Sequence, residues 1–286
     1  MIETLAVIGV GLIGGSLARD LRVLGLVNEV VGYGRSVANL QLAVELGVID
    51  RAVASVRDAV RGADVVVVAV PVGSIARVLE EIAADLGAQT VVTDVGSVKQ
   101  SVIAAAHAAL GTHIANFVPG HPIAGTENSG VGASLEGLFS GRRVILTPTP
   151  ETDADASARV QALWRTVGAD VVLMDAGDHD RILAASSHLP HMAAFALMDM
   201  LVRMDEHRDI FSYSAGGLRD TTRIAASDPV MWRDIVLANK DALADVLRQY
   251  HQDVGELVNA IERNDAEWLL AMFKRARLGR EMLNKL

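Results

Sequence analysis

The 286-residue chain contains no cysteine, which excludes disulfides, thiolate nucleophiles and cysteine-ligated zinc. It has no basic excess either: 35 acidic against 26 basic side chains leave a formal net charge of −9. A global electrostatic footprint for nucleic acid is therefore missing, and the acidic balance favours solubility. The longest solid apolar run, Val65 to Val72, is far too short to span a bilayer. The amino terminus lacks the pattern of an export signal, because Glu3 stands where positive charge is wanted and Gly9 to Gly15 interrupt the apolar stretch. No internal repeat, low-complexity segment or Pro/Ser-rich linker breaks the chain. These absences predict a soluble cytoplasmic protein with neither a nucleic-acid nor a membrane partner.

What is present is ordinary globular material, 51% hydrophobic and 21% charged. The length is about twice that of a typical domain, so one large or two medium domains are expected. Over residues 1–175, short β-branched runs alternate with helical patterns. Leu5 to Ile8, Glu29 to Val31, Asp64 to Ala69, Thr90 to Asp94, Val144 to Thr147 and Val171 to Leu173 predict strands. Their apolarity is continuous, as in parallel strands covered on both faces, which predicts an α/β doubly wound sheet. Helical segments such as Ile75 to Leu86 and Ser97 to Leu110 lie between them. Residues 176–286 carry helical patterns only: Asp178 to Met204 broken by Pro190, a helix capped by Asp228 with Pro229 in its first turn, and Glu256 to Lys285.

Gly9-Val10-Gly11-Leu12-Ile13-Gly14 follows the first predicted strand and opens a helix. Gly9 permits a tight turn, Gly11 lets the backbone approach a pyrophosphate, and Gly14 lets helix pack closely on strand, the Rossmann-type dinucleotide arrangement. An acid about twenty residues beyond the last glycine would grip the ribose of NAD. Counting on reaches Gly34-Arg35-Ser36 instead. A guanidinium beside a hydroxyl suits a 2′-phosphate, so NADP is favoured with NAD possible, unless Arg35 is merely solvated. Val70-Pro71 and Gly96-Ser97 end later strands, where open sheets bind ligands, and Ser97 either caps the next helix or bonds a substrate. His121, set between Gly120 and Pro122, is a candidate base for a hydroxyl proton.

These segments together resemble the prephenate/arogenate dehydrogenases of tyrosine biosynthesis. The resemblance rests on the glycine turn, Asp94-Val95-Gly96-Ser97-Val98-Lys99 and Gly120-His121-Pro122-Ile123-Ala124-Gly125-Thr126-Glu127. It continues through Ser187-His188-Leu189-Pro190-His191, Gly216 to Ala225 and Ser227 to Asp234, in family order. It implies a Rossmann-type domain over residues 1–175 and an all-helical substrate-binding and dimerisation domain over 176–286, assembled as a homodimer. It further implies oxidative decarboxylation of a cyclohexadienol, prephenate or arogenate, with His121 as base and Ser97 bonding His121 or the reacting hydroxyl. Arg223 would bind a substrate carboxylate, with His188, Trp232, Gly217 and Asp220 around the substrate. Arg219 and Arg223 lie one helical turn apart and could instead pair with Asp220 or Asp228. His188 and His191 lack a third ligand at sensible spacing, so no metal is expected. His107, His113, His179, His207 and His251 carry no assignable role. Two other readings share the glycine turn. A β-hydroxyacid dehydrogenase would look to Lys240 but leaves the Gly120 to Gly125 segment unexplained, and a nucleotide sensor has no need of His121, Ser97 and Arg223 together.

Overall fold

The computed structural model describes residues 1–125, 128–204 and 209–284. Thr126 and Glu127, His207 and Lys285 therefore lie outside the described residues. The chain divides into two compact units, Met1–Lys240 and Asp241–Leu286. The helices as far as Lys240 thus group with the sheet, past the change of character near residue 175.

The first unit is built on six parallel strands. These are β1 (Ile2–Ile8), β2 (Val27–Tyr33), β3 (Arg51–Ala52), β4 (Val65–Val68), β5 (Val91–Asp94) and β6 (Phe117–Val118), in the order β3-β2-β1-β4-β5-β6. The strand period of two sorts β1 onto both faces at once. Leu5 and Val7 enter one buried cluster with Leu17, Phe139 and Trp164. Ala6 and Ile8 enter another with Val66, Val68, Leu79 and Phe117. Covering both faces requires crossover helices, supplied by α1 (Leu12–Val23), α2 (Val37–Glu45), α3 (Val56–Val60), α4 (Val72–Ile82) and α5 (Gln100–Ala109).

Beyond β6 the architecture departs from a continued parallel sheet. Strands β7 (Gly120–Pro122), β8 (Arg143–Leu146) and β9 (Asp170–Leu173) form a separate sheet in which β7 runs antiparallel to β8. Helix α6 (Ala154–Thr166) joins β8 to its parallel neighbour β9. His121 accordingly sits mid-strand, paired with Ile145, although its place between Gly120 and Pro122 predicts a turn at a strand tip.

The remaining elements are helical. Asp175 caps α7 (Ala176–Leu183), accepting from the amides of Gly177 and Asp178. A π-helical turn at Ala184–His188 then leads into α8 (Leu189–Met204). Pro190 has no N–H to return to the preceding turn, which accounts for the break expected there. Short helices α9 (Asp209–Ser212) and α10 (Gly216–Thr222) precede α11 (Pro229–Ala238), whose Asp228 cap accepts from the Met231 amide at 2.7 Å.

In the second unit, α12 (Lys240–Glu262) and α13 (Ala266–Leu283) replace the single helix expected from Glu256 to Lys285. Asn264 adopts φ 54° and Asp265 then caps α13 through the Trp268 amide, so the chain turns and restarts. Apolar side chains including Val258, Ile261, Leu270 and Phe273 are exposed along these helices. Among the described residues, no helix is long and apolar enough to cross a membrane.

Gly14 ties fold to site. A Cβ there would meet the Gly9 carbonyl oxygen at 2.6 Å and Val7 Cγ1 at 2.8 Å. Gly14→Ala is expected to cost about 1–3 kcal/mol by overpacking, read as a lower denaturation midpoint, with dinucleotide affinity falling alongside it.

Candidate active site

A cavity of about 940 Å³ opens along the carboxyl ends of β1, β4 and β5. The sheet order reverses between β1 and β4 at this point, which leaves a crevice where neighbouring loops diverge. Gly9, Gly11, Leu12 and Ile13 line it after β1, Val70 and Pro71 after β4, and Gly96 and Ser97 after β5. Arg35 and Ser36 border it beyond β2, and His121 stands on its wall. Gly14 lies beneath this lining rather than in it.

The glycine turn fits a dinucleotide on structural grounds. Gly9 has φ 99°, and a side chain there would run into the Ala69 carbonyl. A Cβ on Gly11, by contrast, would meet nothing within 4 Å. Gly11 is also the N-cap of α1 and supplies no side-chain acceptor. The helix N-terminus therefore presents open space and amide donors to a phosphate. Asn39 holds this edge together, donating to the Val10 carbonyl at 2.7 Å and accepting from the Val131 amide at 2.9 Å. Nothing local in the sequence marks Asn39 for this role. At the β2 end, Ser36 caps α2 through the Asn39 amide at 3.2 Å, and Arg35 is exposed. A second guanidinium, Arg77 of α4, borders the same end and is paired with Glu81 at 2.7 Å.

Behind the opposite wall is a buried polar assembly. Asp94 pairs with Lys99, both side chains fully buried. One Asp94 oxygen accepts from the Gly96 amide at 2.7 Å and the other from the Gly120 amide at 3.1 Å. Lys99 also donates to the Gly120 carbonyl at 2.6 Å. Burial pulls the ammonium pKa of Lys99 down, and the neighbouring carboxylate of Asp94 opposes it. The segments carrying Ser97 and His121 are thus tied to one ion pair.

His121 Nδ1 lies 2.9 Å from His179 Nε2, and His179 Nδ1 lies 2.7 Å from Asp180 Oδ1. The same carboxylate accepts the amides of Lys99 at 2.8 Å and Gln100 at 2.9 Å. Asp180, not Ser97, therefore satisfies the start of α5. Burial raises the Asp180 pKa, but bonds from His179 and these amides outweigh it and hold the group below its ordinary value. His121 is pushed well below the ordinary imidazole value, chiefly by burial and further by His179, Lys99 and His188. It is consequently a neutral base over the physiological range. The bond seen at His121 Nδ1 is to His179, whereas the resemblance implied Ser97 as a partner of either His121 or the reacting hydroxyl. No periodicity or spacing distinguishes His179 and Asp180 from other helical positions, and only their burial singles them out.

His188 is buried too, and burial brings its pKa down to about 4. Its Nδ1 lies 3.1 Å from Asn239 Nδ2, which also reaches the Asp180 carbonyl at 2.8 Å. Trp232 packs edge-on to His188 and stacks on His191 with centroids 3.8 Å apart. Arg223 follows α10, close enough to His191 to depress its pKa further, although burial is the larger cause. Gly217, Asp220 and Arg223 are all exposed and lie outside the cavity lining. Lys240 is exposed as well, whereas its neighbour Asn239 is buried.

Comparison with known proteins adds independent findings. A family model described as the prephenate dehydrogenase nucleotide-binding domain matches residues 17–173, and one described as the prephenate dehydrogenase dimerization domain matches residues 175–275. Cyclohexadienyl dehydrogenase of Zymomonas mobilis is 40% identical over 96% of this chain and 94% of its own length. The crystal structure of Aquifex aeolicus prephenate dehydrogenase with hydroxyphenyl propionate and NAD+ superposes with a TM-score of 0.92 at 37% identity, covering 99% of each chain. Synechocystis arogenate dehydrogenase superposes at 0.81 with 29% identity, covering 97% of this chain and 99% of that one.

Removing one partner of the buried Asp94–Lys99 pair leaves the other charge uncompensated. Lys99→Met is expected to lower unfolding free energy by about 3–5 kcal/mol, measured by chemical denaturation.

Proposed function

Because the chain belongs to the prephenate dehydrogenase family, we propose that it oxidatively decarboxylates a cyclohexadienol, prephenate or arogenate, in a nicotinamide-dependent reaction. The observation that carries this reading is His121, a buried neutral imidazole on the wall of the cavity that begins at the glycine turn. When bound, the nicotinamide supplies the acceptor for the hydride leaving the hydroxyl-bearing ring carbon. Gly9, Gly11 and the α1 N-terminus would hold its pyrophosphate. Removal of hydride from an alcohol carbon requires the hydroxyl proton to be taken up as the carbonyl forms. His121 Nε2 accepts that proton. As the ring carboxylate departs as carbon dioxide, its bonding electrons make the ring aromatic, and the proton returns to the oxygen. No net proton is consumed at the base, so His121 needs only to hold it briefly.

Ser97, half-buried on the same cavity wall, orients the reacting hydroxyl. Arg223 would take a substrate carboxylate in a bidentate grip, with His188 and Trp232 behind it and Gly217 and Asp220 on the adjoining helix. We assign NADP as the preferred cofactor, since Arg35 and Arg77 border the end where a 2′-phosphate would lie and no acid occupies the β2 tip. The exposed apolar side chains of α12 and α13 suit a homodimer. We place the enzyme in the cytoplasm with its cofactor.

Formation of reduced cofactor should be measured with prephenate and arogenate, each with NAD and NADP. Turnover with at least one pair is expected, and none with all four refutes the assignment. In the active pair, His121→Asn should remove about 99% or more of kcat while sparing cofactor affinity. Arg35→Asp should move the ratio of kcat/KM for NADP over NAD towards NAD by at least about tenfold, as expected when a charge-assisted bond becomes a repulsion; an unchanged ratio would show that Arg35 is only solvated.

A further inference from the structure

His121 stands on the cavity wall and His188 is buried outside its lining, and each can carry its proton on either ring nitrogen. The choice decides whether the nitrogen left for chemistry accepts or donates. For His121 the choice is dictated from outside. Asp180 accepts two backbone amides and His179 Nδ1, and an ionised carboxylate can only accept. His179 must therefore donate from Nδ1, and in the neutral ring this leaves Nε2 as a lone pair. His121 Nδ1, 2.9 Å away, must then carry the hydrogen, and His121 Nε2 is left bare.

The second imidazole is set from the same residue by its main chain. Asn239 Nδ2 lies 2.8 Å from the Asp180 carbonyl oxygen, an acceptor, so this atom is the amide nitrogen and it donates. The same NH2 group faces His188 Nδ1 at 3.1 Å, making that nitrogen an acceptor. His188 thus carries its hydrogen on Nε2 and offers a donor. Burial of Asp180, His179, His188 and Asn239 keeps water from competing for these bonds.

We infer that the Asp180 side chain is the positioning group that sets the His121 tautomer, making His121 an acceptor at Nε2 through His179, while the main-chain carbonyl of the same residue, through Asn239, leaves His188 the opposite tautomer, a donor at Nε2. When His121 takes up a proton, its Nδ1–H continues to donate to His179, and the imidazolium is stabilised along a chain ending on a carboxylate. A buried aspartate behind a catalytic histidine does the same in serine hydrolases, where amidation of the carboxyl installs the wrong tautomer. Here an interposed imidazole carries the instruction one residue further. The inference rests on His121 being the base, but the tautomer can be read without substrate.

Heteronuclear NMR of the full-length, ligand-free protein with labelled histidine distinguishes the two neutral tautomers, with His121→Asn identifying the His121 signals. Wild type should show His121 protonated at Nδ1 and His188 at Nε2. Asp180→Asn should shift His121 towards Nε2–H and lower kcat about a hundred- to ten-thousand-fold, with KM for substrate within about threefold. Because Asp180 also holds the start of α5, His179 provides the second route. His179→Gln keeps an acceptor opposite His121 Nδ1 and should retain at least tenfold more kcat than His179→Phe. An Nε2–H tautomer at His121 in wild type overturns the inference, as does undiminished kcat in a folded Asp180→Asn protein or equal activity of the two His179 variants. Failure of every substrate pair would instead refute the reaction and leave the tautomer result standing.

Discussion

The buried carboxylate of Asp180 is the group on which the chemical half of this molecule depends. It holds the first amides of α5 and the ring of His179, and its own carbonyl holds Asn239. Taking an ionised group out of water is costly unless every lone pair finds a donor. Here the carboxylate's donors come from α7 and from the start of α5, while the Asp180 main-chain carbonyl separately accepts from Asn239 at the end of α11. Meeting both demands brings these three segments to one place, and the site histidines are fixed as a consequence. The Asp94–Lys99 pair acts in the same way one layer nearer the sheet, clamping the Gly96 turn to the strand that carries His121.

The net charge of −9 takes on a different meaning against this arrangement. A dinucleotide and a dicarboxylate substrate are both anionic, and an acidic surface does nothing to gather them. On the proposed assignment attraction has to be local, from the open N-terminus of α1 and from a few guanidinium groups that are themselves exposed. The site histidines add little positive charge, because burial keeps them neutral. Their contribution is directional: one accepting nitrogen and one donating nitrogen.

Much of the nucleotide half was legible in the chain. Gly9, Gly11 and Gly14 stand at fixed offsets after an apolar run, and each offset answers a steric demand that any such turn must meet. Continuous apolarity in Val65–Val68 announced a strand buried on both faces, and Asp228-Pro229 announced the start of α11. The second sheet was not legible, because β7 is only Gly120–Pro122 and its pairing with β8 is antiparallel. Three residues carry too little pattern to reveal a partner. The division of the last long helix hung on Asn264 and Asp265, residues equally at home on a solvated helical face.

Sequence by itself determined the glycine turn, the parallel strands of which it follows the first, and the candidacy of His121, since glycine offsets, capping residues and hydrophobic periodicity are local rules. Tertiary structure alone decided what the site residues are. His121 is one imidazole among several until His179, far along the chain, is seen to hold its Nδ1. His179 and Asp180 look like an ordinary pair on a helix until both are found buried against the start of α5. Protonation and tautomer are set by neighbours in space and by the exclusion of water, and neither is written in the order of residues along the chain.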